Sequence, residues 1–339
     1  MILILSRRED EHVVRVIREL ARRGEEHCWF DPAFFPARAR LSVTFAPDGT
    51  QLRRLSFDGR HLDLGDVRAV WYRRPGQPVA EVADPEVRRW VGREARALLE
   101  GVWESLACRW VPGPPVVGFR AEKKAYQLGV AREMGFKVPR TLMTNDPAAV
   151  LRFYEECEGN AVVKTLFNPA VQIGSETYLS FTAPVRRRDL RSYREMRHGP
   201  AILQEYVPKQ MEVRVNVFGE RTLAAEIHSQ QSPWTLHDWR FYDCDRAPHL
   251  PHQLPIEVER RCIRYVAALG LCSGHIDLIL TPAGEYVFLE INPFGQWAWL
   301  EDVAGLALTE ALTDLLLADA RPVPQAASDA CPGRPRPAR

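Results

Sequence analysis

The seven cysteines (Cys28, Cys108, Cys157, Cys244, Cys262, Cys272 and Cys331) form no C-x-x-C pair, and their number is odd. Neither a disulfide framework nor a cysteine zinc site is supported, and a reducing, cytoplasmic setting is expected. No run approaches the ~18 apolar residues of a membrane span. The opening MILILSRRED turns charged too soon for a secretory signal and reads as a buried first strand. Neither sign of charge is in excess: 45 Lys plus Arg stand against 44 Asp plus Glu. Bulk electrostatic capture of nucleic acid therefore finds no support, and neither nucleic acid nor membrane is expected as a partner. Also missing are a G-x-x-x-x-G-K-S/T phosphate loop, a G-x-G-x-x-G fingerprint, an H-E-x-x-H zinc helix and a G-x-S-x-G nucleophile elbow. The nine histidines lie scattered.

What remains is a chain of 339 residues with ordinary globular composition, long enough for two domains or one composite one. Residues 1–112 read as an α/β unit. Apolar Val13, Val14, Ile17 and Leu20 mark a helix over 11–23. Pro47-Asp48-Gly49 marks a hairpin, VRAVWY at 67–72 a strand, and 85–108 one long helix. The segment VPGPPVVG at 111–118 is the strongest punctuation, and a boundary is placed there. Beyond it the pattern predicts a helix over 119–135 and others over 147–157, 255–269 and 302–318. Strands are predicted near 138–143, 161–165, 177–181, 201–207, 212–218 and 221–228. The tail 321–339, rich in Pro, Ala and Arg, is expected to be disordered.

The most informative segment is HIDLILTPAGEYVFLEIN at 275–292. With Ala283-Gly284 as a two-residue turn, Asp277 lies directly opposite Glu290, and Asn292 shares their face. Opposed carboxylates in an apolar hairpin repel and are costly to bury, so a cation belongs between them. Oxygen-only ligands suit a hard divalent ion; an Arg or Lys partner is the plainer alternative. A register slip of one residue would undo the pairing.

Other residues bear on phosphate chemistry. Lys164 ends the strand AVVK, where it could reach phosphate oxygens or simply snorkel to solvent. Lys124 opens a helix and by itself reads as part of a charged face. In 211–218, Met211, Val213, Val215 and Val217 alternate with Glu212, Arg214 and Asn216, predicting a half-buried strand with a polar working face. Arg214 could pair with Glu226 across a hairpin or steady a transferring phosphoryl group.

Taken in order, Lys124, VVK at 162–164, QEYV at 204–207, E-x-R at 212–214, Asp277 and E-I-N at 290–292 resemble the ATP-grasp ligases. Within that superfamily, VWYRRP at 70–75, EVRVNVFG at 212–219, HSQ at 228–230, DWR at 238–240 and LEINPFGQW at 289–297 resemble the microviridin-type peptide ligases, or graspetide synthetases. The resemblance implies a mixed α/β and α+β architecture. It places a pre-ATP-grasp α/β domain at 1–112 and an ATP-grasp domain at 113–320, whose two subdomains clamp ATP. It implies Lys124 and Lys164 as nucleotide lysines, with Lys164 on the phosphates; Glu205, Tyr206 and Val207 as the adenine hinge; and Glu212 near the ribose. Arg214 would be catalytic together with Lys164. Asp277, Glu290 and Asn292 would hold Mg²⁺, expected as two ions, and Asp238 and Arg240 would lie near the peptide acceptor. The implied activity is ADP-forming ligation through an acyl phosphate, making side-chain esters or amides in a ribosomally made precursor peptide of leader and core. A ligase joining a free amino acid or small amine to a carboxylate is the alternative, and a non-catalytic nucleotide-binding scaffold a more distant one. A homodimer is left open. Two departures stand out: the loop 165–176 holds only one glycine, Gly174, and Lys123 and Phe294 replace the asparagines that relatives would carry.

Overall fold

The computed structural model describes residues 1–167, 170–233, 235–239 and 247–318. The tail 321–339, Arg240, Cys244 and Cys331 lie outside them. The five described cysteines are free, and among the described residues no helix is long and apolar enough to cross a membrane.

The opening run forms the strand Ile2–Ser6, buried along its whole length. An unbroken apolar strand suits a parallel sheet covered on both faces. It sits in a four-stranded parallel sheet of order His27–Phe30, Ile2–Ser6, Ala69–Arg74, Arg109–Val111. Helix Glu11–Arg22, capped by the Asp10 carboxylate on the His12 N–H at 3.1 Å, packs Val13, Val16 and Leu20 against Ile2 and Ile4. Helix Pro85–Glu104 packs Ala95, Leu99, Val102 and Trp103 with Leu3 and Leu5 on the opposite face. It ends earlier than predicted. The hairpin at Pro47–Gly49 joins Ala39–Phe45 to Gln51–Phe57, and Arg60–Asp63 adds a third strand that the sequence reading did not anticipate.

The single helix predicted over 119–135 is two, Pro115–Ala121 and Lys124–Glu133. The break is held by buried Gln127, whose Nε2 donates to the Ala121 carbonyl (2.7 Å) and the Ile291 carbonyl (2.8 Å). It places Lys124 in the first turn of the second helix, beside the carboxylate strand. The helix predicted over 302–318 is likewise two, Ala298–Ala304 and Leu308–Leu317, separated at Gly305. Both return to the first sheet, where Leu308, Leu312 and Leu316 join the core of Ile2 and Val16. Arg15 with Asp302 (2.7 Å) and Arg23 with Asp314 (2.6 Å) tie the surface above it.

Two further antiparallel sheets frame the cavity. One has the order Ala183–Pro184, Ala161–Lys164, Ala201–Glu205, Thr141–Thr144. Helix Pro147–Glu156 covers one of its faces through Val150 and Phe153. The other has the order His249–His252, Arg221–Ile227, Met211–Phe218, Ser273–Leu280, Tyr286–Asn292. A separate hairpin, Ala170–Ile173 with Glu176–Leu179, follows the lysine strand; its first strand was not predicted.

Candidate active site

The carboxylate pairing arises in a way the sequence reading did not foresee. Leu280 faces Tyr286, so the turn holds Pro282, Ala283 and Gly284, not two residues. Gly284 supplies the positive φ of +77° that this turn needs. A bulge at Leu289 then absorbs the offset, and Asp277 faces Glu290 while His275 faces Asn292. The Asn292 amide nitrogen donates to Asp277 Oδ2 (3.2 Å) and Glu290 Oε1 (3.1 Å).

Both carboxylates already have cationic partners. Arg214, opposite Asp277 in the ladder, grips it with one nitrogen at 2.6 and 2.7 Å. Its second terminal nitrogen donates to the Gln296 carbonyl at 3.1 Å. The alternative pairing with Glu226 is excluded, because Glu226 pairs with Val213 in the ladder and binds His228 and His252 at 2.9 Å. Strand Met211–Phe218 is not half-buried as predicted: all eight residues are buried, because the polar face is roofed by the cavity walls. Glu290 is bonded to Lys124. The arginine and lysine thus satisfy the plainer reading of the hairpin. The same set still fits a hard cation: once Lys124 swings off Glu290 and the Asn292 amide turns over, three oxygen donors converge.

These residues line one cavity of about 840 Å³ together with Lys164, Glu205, Tyr206, Val207, Glu212 and Asp238. Lys164 stands on its wall without an ion pair among the described residues. Burial lowers its pKa; Glu290 pulls it back up and Lys124 adds to the lowering. The N–H groups of Glu205 and Tyr206 are bonded to the carbonyls of Arg140 (2.9 Å) and Asn160 (2.8 Å). Among the described residues, the Val207 N–H has no acceptor, and Val207 faces the cavity. Glu212 accepts from Ser229 Oγ (3.0 Å) and Lys209 Nζ (2.5 Å). Burial raises its pKa against the pull of Lys209 and Ser229. Asp238 accepts from the Thr182 N–H at 3.1 Å, which fixes it beside the lysine strand. Arg240 lies outside the described residues.

Residues 1–115 match the family model of the MvdD pre-ATP grasp domain. The macrocyclase MdnC of Microcystis aeruginosa MRC, solved bound with precursor peptide MdnA, is 30% identical over 93% of this chain and 98% of that one, with a TM-score of 0.81. This chain belongs to the microviridin-type ATP-grasp ligases. It is therefore an ATP-dependent ligase with the ATP-grasp fold and an N-terminal pre-ATP-grasp domain. A RiPP-associated ATP-grasp ligase of Chryseobacterium gregarium, in complex with ADP and a leader and core peptide, is 28% identical over 95% of this chain and 98% of that one, with a TM-score of 0.88. The ATP-grasp ligase PsnB, complexed with minimal precursor, Mg and ADP, is 25% identical over 94% and 96%, with a TM-score of 0.74. No curated protein matches.

Several residues of this ATP-grasp ligase escaped the sequence reading. The loop 293–297 is fastened from the N-terminal domain: Arg74 Nε donates to the Phe294 carbonyl at 3.1 Å, as does Arg73. His12 Nε2 accepts from the N–H groups of Trp297 (2.9 Å) and Ala298 (3.1 Å), while its Nδ1 bonds Asp10 at 3.0 Å. Burial would raise the Asp10 carboxyl, but His12 and Arg73 outweigh it and hold it at about 2. Burial also lowers the His12 pKa, which suits a neutral acceptor. Only the words RRP and INPFGQW hinted at this, since the contact joins residues 285 positions apart. The departure at Phe294 is a packing feature: its ring lies 5.7 Å from Tyr72 and 5.6 Å from Phe119, and it does not line the cavity.

Proposed function

We propose that this ligase crosslinks side chains of a ribosomally made precursor peptide, using ATP and Mg²⁺ and passing through an acyl phosphate. The observation that carries this reading is the single cavity in which Lys164, Arg214 and the Asp277–Glu290–Asn292 oxygen set converge. The relatives solved with ADP, Mg and precursor peptides support it. Residues 1–112 are assigned to the pre-ATP-grasp domain and 113–320 to the ATP-grasp domain.

In this reading a peptide carboxylate oxygen attacks the γ-phosphorus of ATP, the bond to ADP breaks, and an acyl phosphate forms. A hydroxyl or amine of the same peptide then attacks the acyl carbon, inorganic phosphate leaves, and the nucleophile's proton is lost. The net change in the peptide is loss of one water per bond. Lys164 meets the charge that develops on the transferred group, and Arg214, pre-oriented by Asp277 and the Gln296 carbonyl, holds the phosphoryl group and the tetrahedral oxygen. Mg²⁺, held by Asp277, Glu290 and Asn292, neutralises the phosphates. Lys124 leaves Glu290 for the nucleotide, Val207 offers its N–H to adenine, and Glu212 accepts from the ribose. Asp238 and Arg240 are assigned to the peptide acceptor side. Closure must keep water from the acyl phosphate.

The test is the intact mass of a neighbouring precursor peptide rich in Thr, Ser, Asp and Glu after incubation with the protein, ATP and Mg²⁺. Loss of water establishes intramolecular crosslinking, with fragmentation separating ester from amide. A mass gain in the presence of free amino acids would instead establish the intermolecular ligase. Absence of Mg²⁺-dependent ADP release with every carboxylate substrate would leave only the scaffold.

A further inference from the structure

The peptide unit between Gln296 and Trp297 is held at both of its polar ends. Its N–H donates to His12 Nε2 at 2.9 Å, and its carbonyl accepts from a terminal nitrogen of Arg214 at 3.1 Å. The unit is trans and therefore planar, with its N–H and C=O on opposite sides of the chain. A histidine of the N-terminal domain and the arginine assigned to the phosphoryl group thus grip one rigid plane from its two edges.

Arg214 needs that second hold. It meets Asp277 through a single terminal nitrogen, 2.6 Å from Oδ1 and 2.7 Å from Oδ2. A side-by-side fork of two nitrogens would fix the guanidinium plane; an end-on grip through one leaves the group able to turn about that contact. Among the described residues, Arg214 Nε has no hydrogen-bond partner. The Gln296 carbonyl therefore sets the turn of the guanidinium, and with it the direction of the donors left for an anion in the cavity that Arg214 lines.

His12 is built to hold the plane still. It stands in the first turn of helix Glu11–Arg22, and the Asp10 carboxylate that caps this helix also bonds its Nδ1 at 3.0 Å. An ionised carboxylate only accepts, so Nδ1 carries the proton and Nε2 is left as an acceptor. Nε2 takes a second N–H, that of Ala298, at 3.1 Å. Trp297 precedes the helix Ala298–Ala304, and its own side chain makes no cap there; the imidazole supplies the acceptor that a helix start requires. The Trp297 ring, 2% exposed, meets the imidazole edge-on at 4.9 Å and 87°. Arg73 Nε lies 3.4 Å from Asp10 Oδ2, and Arg73 and Arg74 both take the Phe294 carbonyl, just ahead of the plane. Gly295, between the two anchors, adds little stiffness of its own.

We propose that His12 is a positioning residue of the ligase: through the Gln296–Trp297 peptide it fixes the guanidinium of Arg214 in the orientation that phosphoryl and acyl transfer require. His12 acts without touching nucleotide or peptide. The inference rests on the role given to Arg214 above. Without an acceptor at Nε2, the Trp297 N–H is left buried and unpaired. The plane then turns to find a partner, its carbonyl leaves Arg214, and the arginine swings about Asp277. A displacement of about 1 Å at a reacting group can lower the rate about a hundredfold.

The test is steady-state ADP release by the full chain with Mg²⁺, ATP and precursor peptide, paired with thermal melts. His12→Asn keeps a donor for Asp10 but is too short to reach the plane; kcat should fall roughly tenfold to a hundredfold, with the KM for ATP unchanged. His12→Gln carries the same amide one carbon further, returns an acceptor near the place of Nε2, and should regain most of the rate. His12→Phe repeats the truncation with an apolar ring should His12→Asn not fold. Arg214→Lys keeps a charge on Asp277 and loses the arm to the carbonyl; in that background the His12 truncation should lower kcat little further, because the shared link is already cut. A normal kcat in the truncations, a change in KM alone, no recovery in His12→Gln, or full multiplication of the His12 and Arg214 losses overturns the proposal. Normal turnover by Arg214→Lys would instead show that the role of Arg214 was misread, and the inference falls with it. Should the parent release no ADP, the melts decide: the double variant should lose clearly less than the sum of the two single losses, and additive losses break the link whatever the reaction.

Discussion

Replacing Asp277 separates the structural role of the carboxylate pair from its chemical one. Arg214 and Asp277 are joined at 2.6 Å with side-chain exposures of 8% and 17%. Removing one partner of such a buried pair costs about 3–5 kcal/mol, because the other charge stays buried and uncompensated. Here the lower end applies: Arg214 keeps the Gln296 carbonyl, and loss of Asp277 relieves its repulsion with Glu290 across the hairpin. About 3 kcal/mol at about 2 °C per kcal/mol for a long chain gives a melting temperature roughly 6 °C lower in Asp277→Ala. The double variant Arg214→Met/Asp277→Leu removes both charges and keeps the volume, and should regain most of that loss. Neither variant should release ADP at more than about one hundredth of the normal rate, since losing even an outer partner of a metal ligand costs 10–100-fold. Thermal melts by dye fluorescence and a coupled ADP assay with Mg²⁺ read the two quantities. If Asp277→Ala melts like the parent, or if the double variant is stable and active, the reasoning fails.

Three further outcomes are expected. Lys164→Ala should abolish ADP release with an unchanged melt, because Lys164 has no ion pair to lose among the described residues; normal turnover would remove it from the phosphate site. Gly295→Ala should raise the Mg²⁺ concentration needed for half-maximal ADP release, because a Cβ there would lie 2.9 Å from His275 and 3.1 Å from the Asn292 Cβ; an unchanged Mg²⁺ titration would show that Asn292 is not displaced. The His12 pKa is lowered on folding, so the unfolded chain binds the proton more readily. The stability it contributes is whole above about pH 6.5 and is lost as pH falls below that toward its folded value. Melting temperature should therefore drop across that window, and less steeply in His12→Gln. Burial lowers His275 and His237 too, so some slope remains. Parallel curves for the two proteins would rule His12 out.

Much of this protein was legible in one dimension. Alternation, punctuation and the words AVVK, EVRVNV and LEIN depend on neighbours a few residues apart, and local physics makes those lysine, arginine and carboxylate strands wherever they end up. The pairing of Asp277 with Glu290 was read correctly from a wrong turn, because a bulge at Leu289 cancelled the error; neither a three-residue turn nor a bulge has a compelling local signature. The helix breaks at Glu122-Lys123 and Gly305 were missed because tertiary hydrogen bonds and packing made them. Only the fold could decide that Arg214 takes Asp277 rather than Glu226, that Lys124 takes Glu290, and that His12, Arg73 and Arg74 fasten a loop near residue 295. Those choices depend on which strand lies beside which and on how deeply each charge is buried.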